Sequence, residues 1–143
     1  MRTDRLEREY DVEISVTHFP LHPETPPEGR ALSELFAGRE ELLNEMRTRL
    51  EQAMAAEGLA YGDRKMTYNS RLAQELAAWA VTQPRGDAIH DALFRAYFAE
   101  GGNIGDPEQL LEIACSAGLS RDEASVVLAK RTFREVVDLD WER

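Results

Sequence analysis

A single cysteine, Cys115, is all the thiol chemistry that 143 residues offer. No disulfide can close within the chain, and a two-thiol redox centre, which needs two sulfurs close enough to bridge, cannot be assembled from it. One lone thiol suits a reducing compartment, so the sequence points to the cytoplasm. Positive charge is also scarce: 17 Lys and Arg face 27 Asp and Glu, for a formal net charge of -10. Nucleic-acid binding depends on basic residues clustered on one face, so no nucleic-acid partner is expected. An anionic membrane surface is disfavoured for the same reason. No apolar run approaches the roughly 18 residues of a spanning helix. The opening Met1-Arg2-Thr3-Asp4-Arg5-Leu6-Glu7-Arg8 has no apolar stretch of the kind that directs secretion.

Apolar residues are plentiful enough (43%) to build a core, which fits one folded domain. From Val12 to Phe19 the sequence alternates Val12, Ile14, Val16 and His18 with Glu13, Ser15, Thr17 and Phe19. That period of two, rich in β-branched residues, predicts a strand over about 11–19. Four of the six prolines follow at once, at 20, 23, 26 and 27, and Pro26-Pro27-Glu28-Gly29 reads as an extended loop closing in a turn. Ahead of the strand, Thr3 to Tyr10 reads as the last turns of a helix.

After Gly29 the pattern is helical. Leu32, Leu35, Phe36, Leu42, Leu43, Met46, Leu50 and Met54 predict a long amphipathic helix from about Ser33 to Glu57, ended by Gly58, or two shorter ones broken at Gly38. Asn69 is placed to cap a helix running to about Thr82, and Asp87 one ended by Gly101-Gly102. The clearest signals come next. Asp106-Pro107-Glu108-Gln109 sets a capping carboxylate before a proline at the first helical position, and Ser120-Arg121-Asp122-Glu123 is a capping box. A last helix carries Phe133, Val136, Val137 and Trp141. One isolated strand leaves both edges unpaired, so the chain reads as an incomplete domain or one that borrows a partner.

Several blocks carry a family likeness: Phe19-Pro20-Leu21-His22-Pro23 with Pro26-Pro27-Glu28-Gly29, then Tyr68-Asn69-Ser70-Arg71-Leu72-Ala73, then Ala92 through Gly101 with Asn103-Ile104-Gly105-Asp106. In this order the chain resembles the DsbA-like thioredoxin family, in particular its FrnE-type disulfide oxidoreductases, related to the 2-hydroxychromene-2-carboxylate isomerases. The resemblance covers roughly nine-tenths of the chain. It implies a thioredoxin fold interrupted by a helical insertion, with a catalytic Cys-x-x-Cys and a facing cis-proline loop. Neither of those elements matches a segment of this sequence, so the family's catalysis does not carry over. Some isomerase relatives use glutathione, but the segment expected to hold their nucleophile is also unmatched.

The expected fold class is therefore mainly α: the helical insertion domain of a DsbA-like thioredoxin fold with one attached β-strand. Residues 1–29 would hold the helix end, the strand and the Pro-rich loop, and residues 30–143 the helical domain. By resemblance, Phe19, Leu21, Asn69 and Ser70 border the family's active-site cleft and are the candidate ligand contacts. No catalytic residue, cofactor or metal is expected. His18 and His22 could suggest a metal site with Glu13, Glu24 or Glu28, but Pro20 between them prevents the helical i, i+4 alignment that would make them chelate. Cys115, among Leu111, Ile113, Ala114 and Leu119, reads as a buried structural thiol. The aromatic residues Phe94, Tyr97 and Phe98 read as core. Two functional classes remain: a partial DsbA/FrnE-like protein without independent redox activity, or a helical interaction module. The partner would be a second copy, paired through the lone strand and aromatic face, or a complementing thioredoxin-fold chain.

Overall fold

A computed structural model describes Leu6 and residues 8–143. The helix end expected from Thr3 to Tyr10 lies partly outside these residues; Leu6, Arg8 and Glu9 are helical. The fold is mainly helical with one two-stranded sheet.

The strand expected over 11–19 does not form: residues 12–20 carry no regular secondary structure. A strand needs a neighbour, and side chains have taken the backbone groups here instead. The His18 N–H donates to Asp140 Oδ2 at 3.1 Å, and the Phe19 carbonyl accepts from Gln74 Nε2 at 3.0 Å. The sheet lies after the prolines, where no strand was expected. β1 (Arg30–Ala31) pairs antiparallel with β2 (Met66–Thr67), Arg30 opposite Thr67 and Ala31 opposite Met66. Gly29 makes the turn into β1 at φ +84°, its N–H on the Pro26 carbonyl at 2.9 Å. A β-carbon there would sit 2.4 Å from the Tyr68 ring, so only glycine fits.

The alternative of two helices broken at Gly38 holds. α1 (Leu32–Leu35) stops, Gly38 turns at φ +74°, and α2 (Glu40–Ala56) begins with Glu40 accepting the Gly38 N–H at 2.9 Å. No residue of α2 is buried. Its Leu43, Met46 and Leu50 line a groove of about 670 Å³ against Leu32, Phe36 and Tyr61.

α3 (Arg71–Ala80) is the core helix: Ala73, Leu76, Ala77, Trp79 and Ala80 are all buried. Its alanines let α4 (Ala88–Phe94), α5 (Pro107–Ser116), α6 (Arg121–Lys130) and α7 (Arg134–Trp141) approach closely. Leu76, Ile89 and Leu110 are fully buried in this cluster, each worth about 2 kcal/mol of transfer free energy. The capping signals read from sequence hold at α5 and α6. Asp106 accepts from the Glu108 N–H at 2.8 Å with Pro107 at the first position, and Ser120 accepts from the Glu123 N–H at 3.3 Å. Asp87 stands at the cap position of α4 but makes no capping hydrogen bond, because its backbone is already in the right-handed helical region (φ -58°, ψ -27°). α4 continues into one π-helical turn, Arg95–Ala99, where the Glu100 N–H reaches back to the Arg95 carbonyl.

Candidate functional site

Asn69 fastens the proline loop to the start of α3. Its Nδ2 donates to the carbonyls of Pro23 and Thr25 at 3.1 and 2.8 Å, while its Oδ1 accepts the Arg71 N–H at 2.9 Å. It thus does the capping foreseen for it, although Ser70 is the formal boundary residue. One turn on, Gln74 donates to the Phe19 carbonyl and accepts from Trp141 Nε1 at 2.8 Å, joining the extended segment to α3 and α7.

Between this segment, the outer face of α3 and the α4–π-turn helix lies a cavity of about 320 Å³. Its wall is mostly apolar, including Val16, Leu93, Phe94, Tyr97, Phe98 and Ile104. A wall of this kind with few polar groups is the general form of a small-molecule site. The π turn carries Tyr97 toward the sheet, where its hydroxyl meets Arg64 and lies 3.0 Å from Thr67 Oγ1. The Arg64 guanidinium also lies over the Tyr97 ring, 4.5 Å from its centroid.

Two histidines supply the cavity's unsatisfied polar atoms. His18 is anchored from the far end of the chain: Asp140 Oδ2 accepts from its Nδ1 at 2.8 Å as well as from its backbone N–H. The backbone N–H first, and the ring hydrogen bond next, hold the Asp140 carboxyl below the usual carboxylate range. Nδ1 of His18 is thereby committed to Asp140, and Nε2 is the ring nitrogen left over. Among the described residues His18 Nε2 is buried without a hydrogen-bond partner, and so is Nε2 of His90. Burial, and then the nearby His18 ring, push His90 below the ordinary histidine value, against the weaker pull of Asp91 and Asp87.

Of the four residues singled out from sequence, Phe19, Leu21 and Ser70 line this cavity, Phe19 and Leu21 at its exposed rim. Asn69 is not on the wall and serves as the fastener beneath it. The sequence reading missed the His18–Asp140 pair and the role of His90. A separation of 122 residues leaves no local signal for the first, and His90 looks like any helix residue until the cavity is seen. His18 and His22 both line this cavity, His18 partly buried and His22 at its exposed rim beside Glu24.

Cys115 is exposed, not buried. The inward stripe of α5 runs through Leu110, Leu111 and Ala114, and one residue further turns the side chain about 100° outward. The apolar neighbours that suggested burial are on the other side. Phe94 is likewise half out of the core, at 52% exposed.

The family model for the DSBA-like thioredoxin domain matches residues 1–142. No curated protein matches the chain significantly. Among solved structures, a probable DsbA oxidoreductase of Streptomyces coelicolor superposes with a TM-score of 0.76 at 29% identity, covering 84% of this chain and 55% of its own. The chain thus spans a little over half the length of that protein. With a match over nearly every residue, this chain belongs to the DSBA-like thioredoxin family.

Proposed function

We propose that this chain is the helical part of a DsbA/FrnE-like thiol–disulfide oxidoreductase system and has no independent redox activity. The observation that carries the reading is the thiol inventory: one cysteine, at an exposed position on α5, in a chain that matches a disulfide-oxidoreductase family. Dithiol exchange passes through a mixed disulfide that a second thiol resolves, and Cys115 has no such partner in the chain. The cavity bordered by Phe19, Leu21 and Ser70 would then serve binding, with Asn69 shaping its rim. A reducing cytoplasm suits such a thiol. The test is insulin reduction by dithiothreitol. The purified chain should leave the rate where the reductant alone sets it, and clear turnover would overturn the reading.

A second reading, an interaction module, is favoured by one observation: Val12, Val16, Phe19 and Leu21 are all at least half exposed along a segment with no strand neighbour among the described residues. Such a segment can add to a sheet edge in a second copy or in a complementing thioredoxin-fold chain. Phe94, on the same cavity wall, extends the apolar surface. Light scattering on the eluting chain decides self-pairing: twice the 16.2 kDa chain mass supports it, and a monomer at all concentrations rejects it.

A further inference from the structure

The groove along α2 shares no lining residue with the cavity of His18 and His90. We propose that this groove binds a single-chain alkyl carboxylate, a fatty acid of medium chain length, with its tail along α2 and its carboxylate on Arg49. Helices in proteins are held mostly by packing an apolar face, yet no residue of the 17 in α2 is buried. The apolar face is present: Leu43, Met46, Leu50 and Ala53 recur at spacings of three and four and line the groove. The groove holds about 670 Å³, within the range of small-molecule sites. From Leu43 to Ala53 the apolar strip runs roughly 15 Å, at 1.5 Å per residue. An extended alkyl chain enters such a groove whole, whereas a peptide helix, about 10 Å across, could set only one face into it.

Charge on the wall selects the head group. The chain carries 27 Asp and Glu against 17 Lys and Arg, yet the charged residues lining this groove are all cations: Arg47, Arg49, Arg64 and Lys65. Two carboxylates outside the lining answer part of that charge. Asp63 Oδ1 accepts from Arg47 Nη1 at 2.7 Å, Glu51 lies 3.4 Å from Arg47 Nε, and Asp63 Oδ2 lies 3.9 Å from Lys65. Arg64 is committed to the Met66 carbonyl at 3.2 Å and to the Tyr97 hydroxyl. Arg49 is exposed, and its guanidinium has no partner among the described residues. It stands one turn from both Met46 and Ala53, at the edge of the apolar strip. A planar guanidinium takes a carboxylate through two parallel hydrogen bonds. Ser33 and Asn44, the neutral polar residues of the wall, offer further donors. An alkyl ammonium would meet the surplus of positive charge, and an alcohol would leave it unanswered.

The experiment is a calorimetric titration of the full chain with laurate, octanoate and dodecyltrimethylammonium, all below their micelle concentrations, with methionine-methyl spectra recorded alongside. Laurate should bind at a single site, and octanoate about tenfold or more weakly because a shorter tail leaves water. Dodecyltrimethylammonium has laurate's tail length and the opposite charge, and should also bind about tenfold more weakly. The methyl of Met46, on the groove wall, should shift with laurate. That of Met54, which lines a neighbouring hollow with Leu59 and Phe94, should move less. Arg49→Gln should narrow the gap between laurate and the ammonium, and should melt as the parent does because Arg49 is exposed. Met46→Glu, at another exposed position, should weaken laurate by setting a like charge on the strip. An ammonium bound as tightly as laurate, many laurates per chain without saturation, an unmoved Met46 methyl, the parent's preference in Arg49→Gln, or no binding at submillimolar laurate would each overturn the proposal. A Met46 methyl that answers dilution of the chain instead of laurate would give the strip to a second copy, and overturns it too. The proposal rests on neither reading above, so it fails separately from the insulin and light-scattering tests.

Discussion

Arg131, the left-handed residue that ends α6 at φ +54°, places two guanidinium nitrogens on the two carboxylate oxygens of Glu75, each at 2.6 Å. Glu75 sits in the middle of α3 and is 1% exposed. Arg71, one turn before it, adds a third contact to Oε1 at 2.7 Å and reaches Asp138 of α7 with its other end. A buried carboxylate thus ties together the three helices that close this end of the bundle. Removing one partner from such a group leaves charge out of water without compensation.

Arg131→Ala should therefore cost about 3 kcal/mol, the low end for a broken buried pair because Arg71 remains. Urea denaturation measures it. The double variant Glu75→Leu with Arg131→Leu should recover most of that loss, because the buried carboxylate is gone and Arg71 keeps its pairing with Asp138. A single variant indistinguishable from the parent would mean that Glu75 is satisfied without Arg131.

Stability should fall in two separate acid steps. Burial alone would raise Glu75, but the hydrogen bonds from Arg131 and Arg71 outweigh it and its folded value is lowered; Asp140 is lowered by His18. A lowered carboxyl takes up protons more readily in the unfolded chain, so its contribution is complete above the unfolded value near pH 4 and is lost as pH falls through the folded one. His90 is also lowered, so its contribution is complete above the unfolded histidine value near 6.5 and is lost on acidification below it. Melting temperatures between pH 8 and the carboxylate range, about pH 5, should decline for the parent and stay flatter for His90→Gln, with both dropping further below that. Parallel curves for the two proteins would contradict the assignment of the upper step.

Gly86 should not tolerate a side chain. After α3 the chain doubles back so tightly that a β-carbon at Gly86 would lie 1.6 Å from the Ala80 carbonyl oxygen. Relief requires moving backbone at the end of the core helix, so Gly86→Ala should cost about 2–3 kcal/mol, like other overpacked sites. Gly118→Ala, where nothing lies within 4 Å but φ is +82°, should cost only about 1 kcal/mol. Thermal melts of the two variants give the comparison.

Cys115 should react with an aromatic disulfide reagent in the native chain, one equivalent per chain, at a rate close to that in denaturant. Air oxidation should yield only disulfide-linked dimers, with no intramolecular product. A thiol that reacts only after unfolding would restore the buried reading.

The sequence by itself determined most of the helical outline, because local chemistry sets it. Asp106-Pro107 and Ser120 satisfy the first N–H groups of α5 and α6 wherever those helices pack, and Gly38 breaks a helix through its own φ. The family blocks were equally legible, since they depend on residue order alone. Tertiary structure decided the rest. Alternation over 12–19 signals an extended segment, but only a neighbouring strand makes it part of a sheet, and Asp140 and Gln74 bind its backbone instead. Cys115 is exposed because a helix has one inward stripe, and its rotation is set by what packs against it. The cavity wall holds His18 and His90, and Asp140 anchors His18 from the far end of the chain. Residues that far apart in sequence acquire a shared chemistry only when the core between them forms.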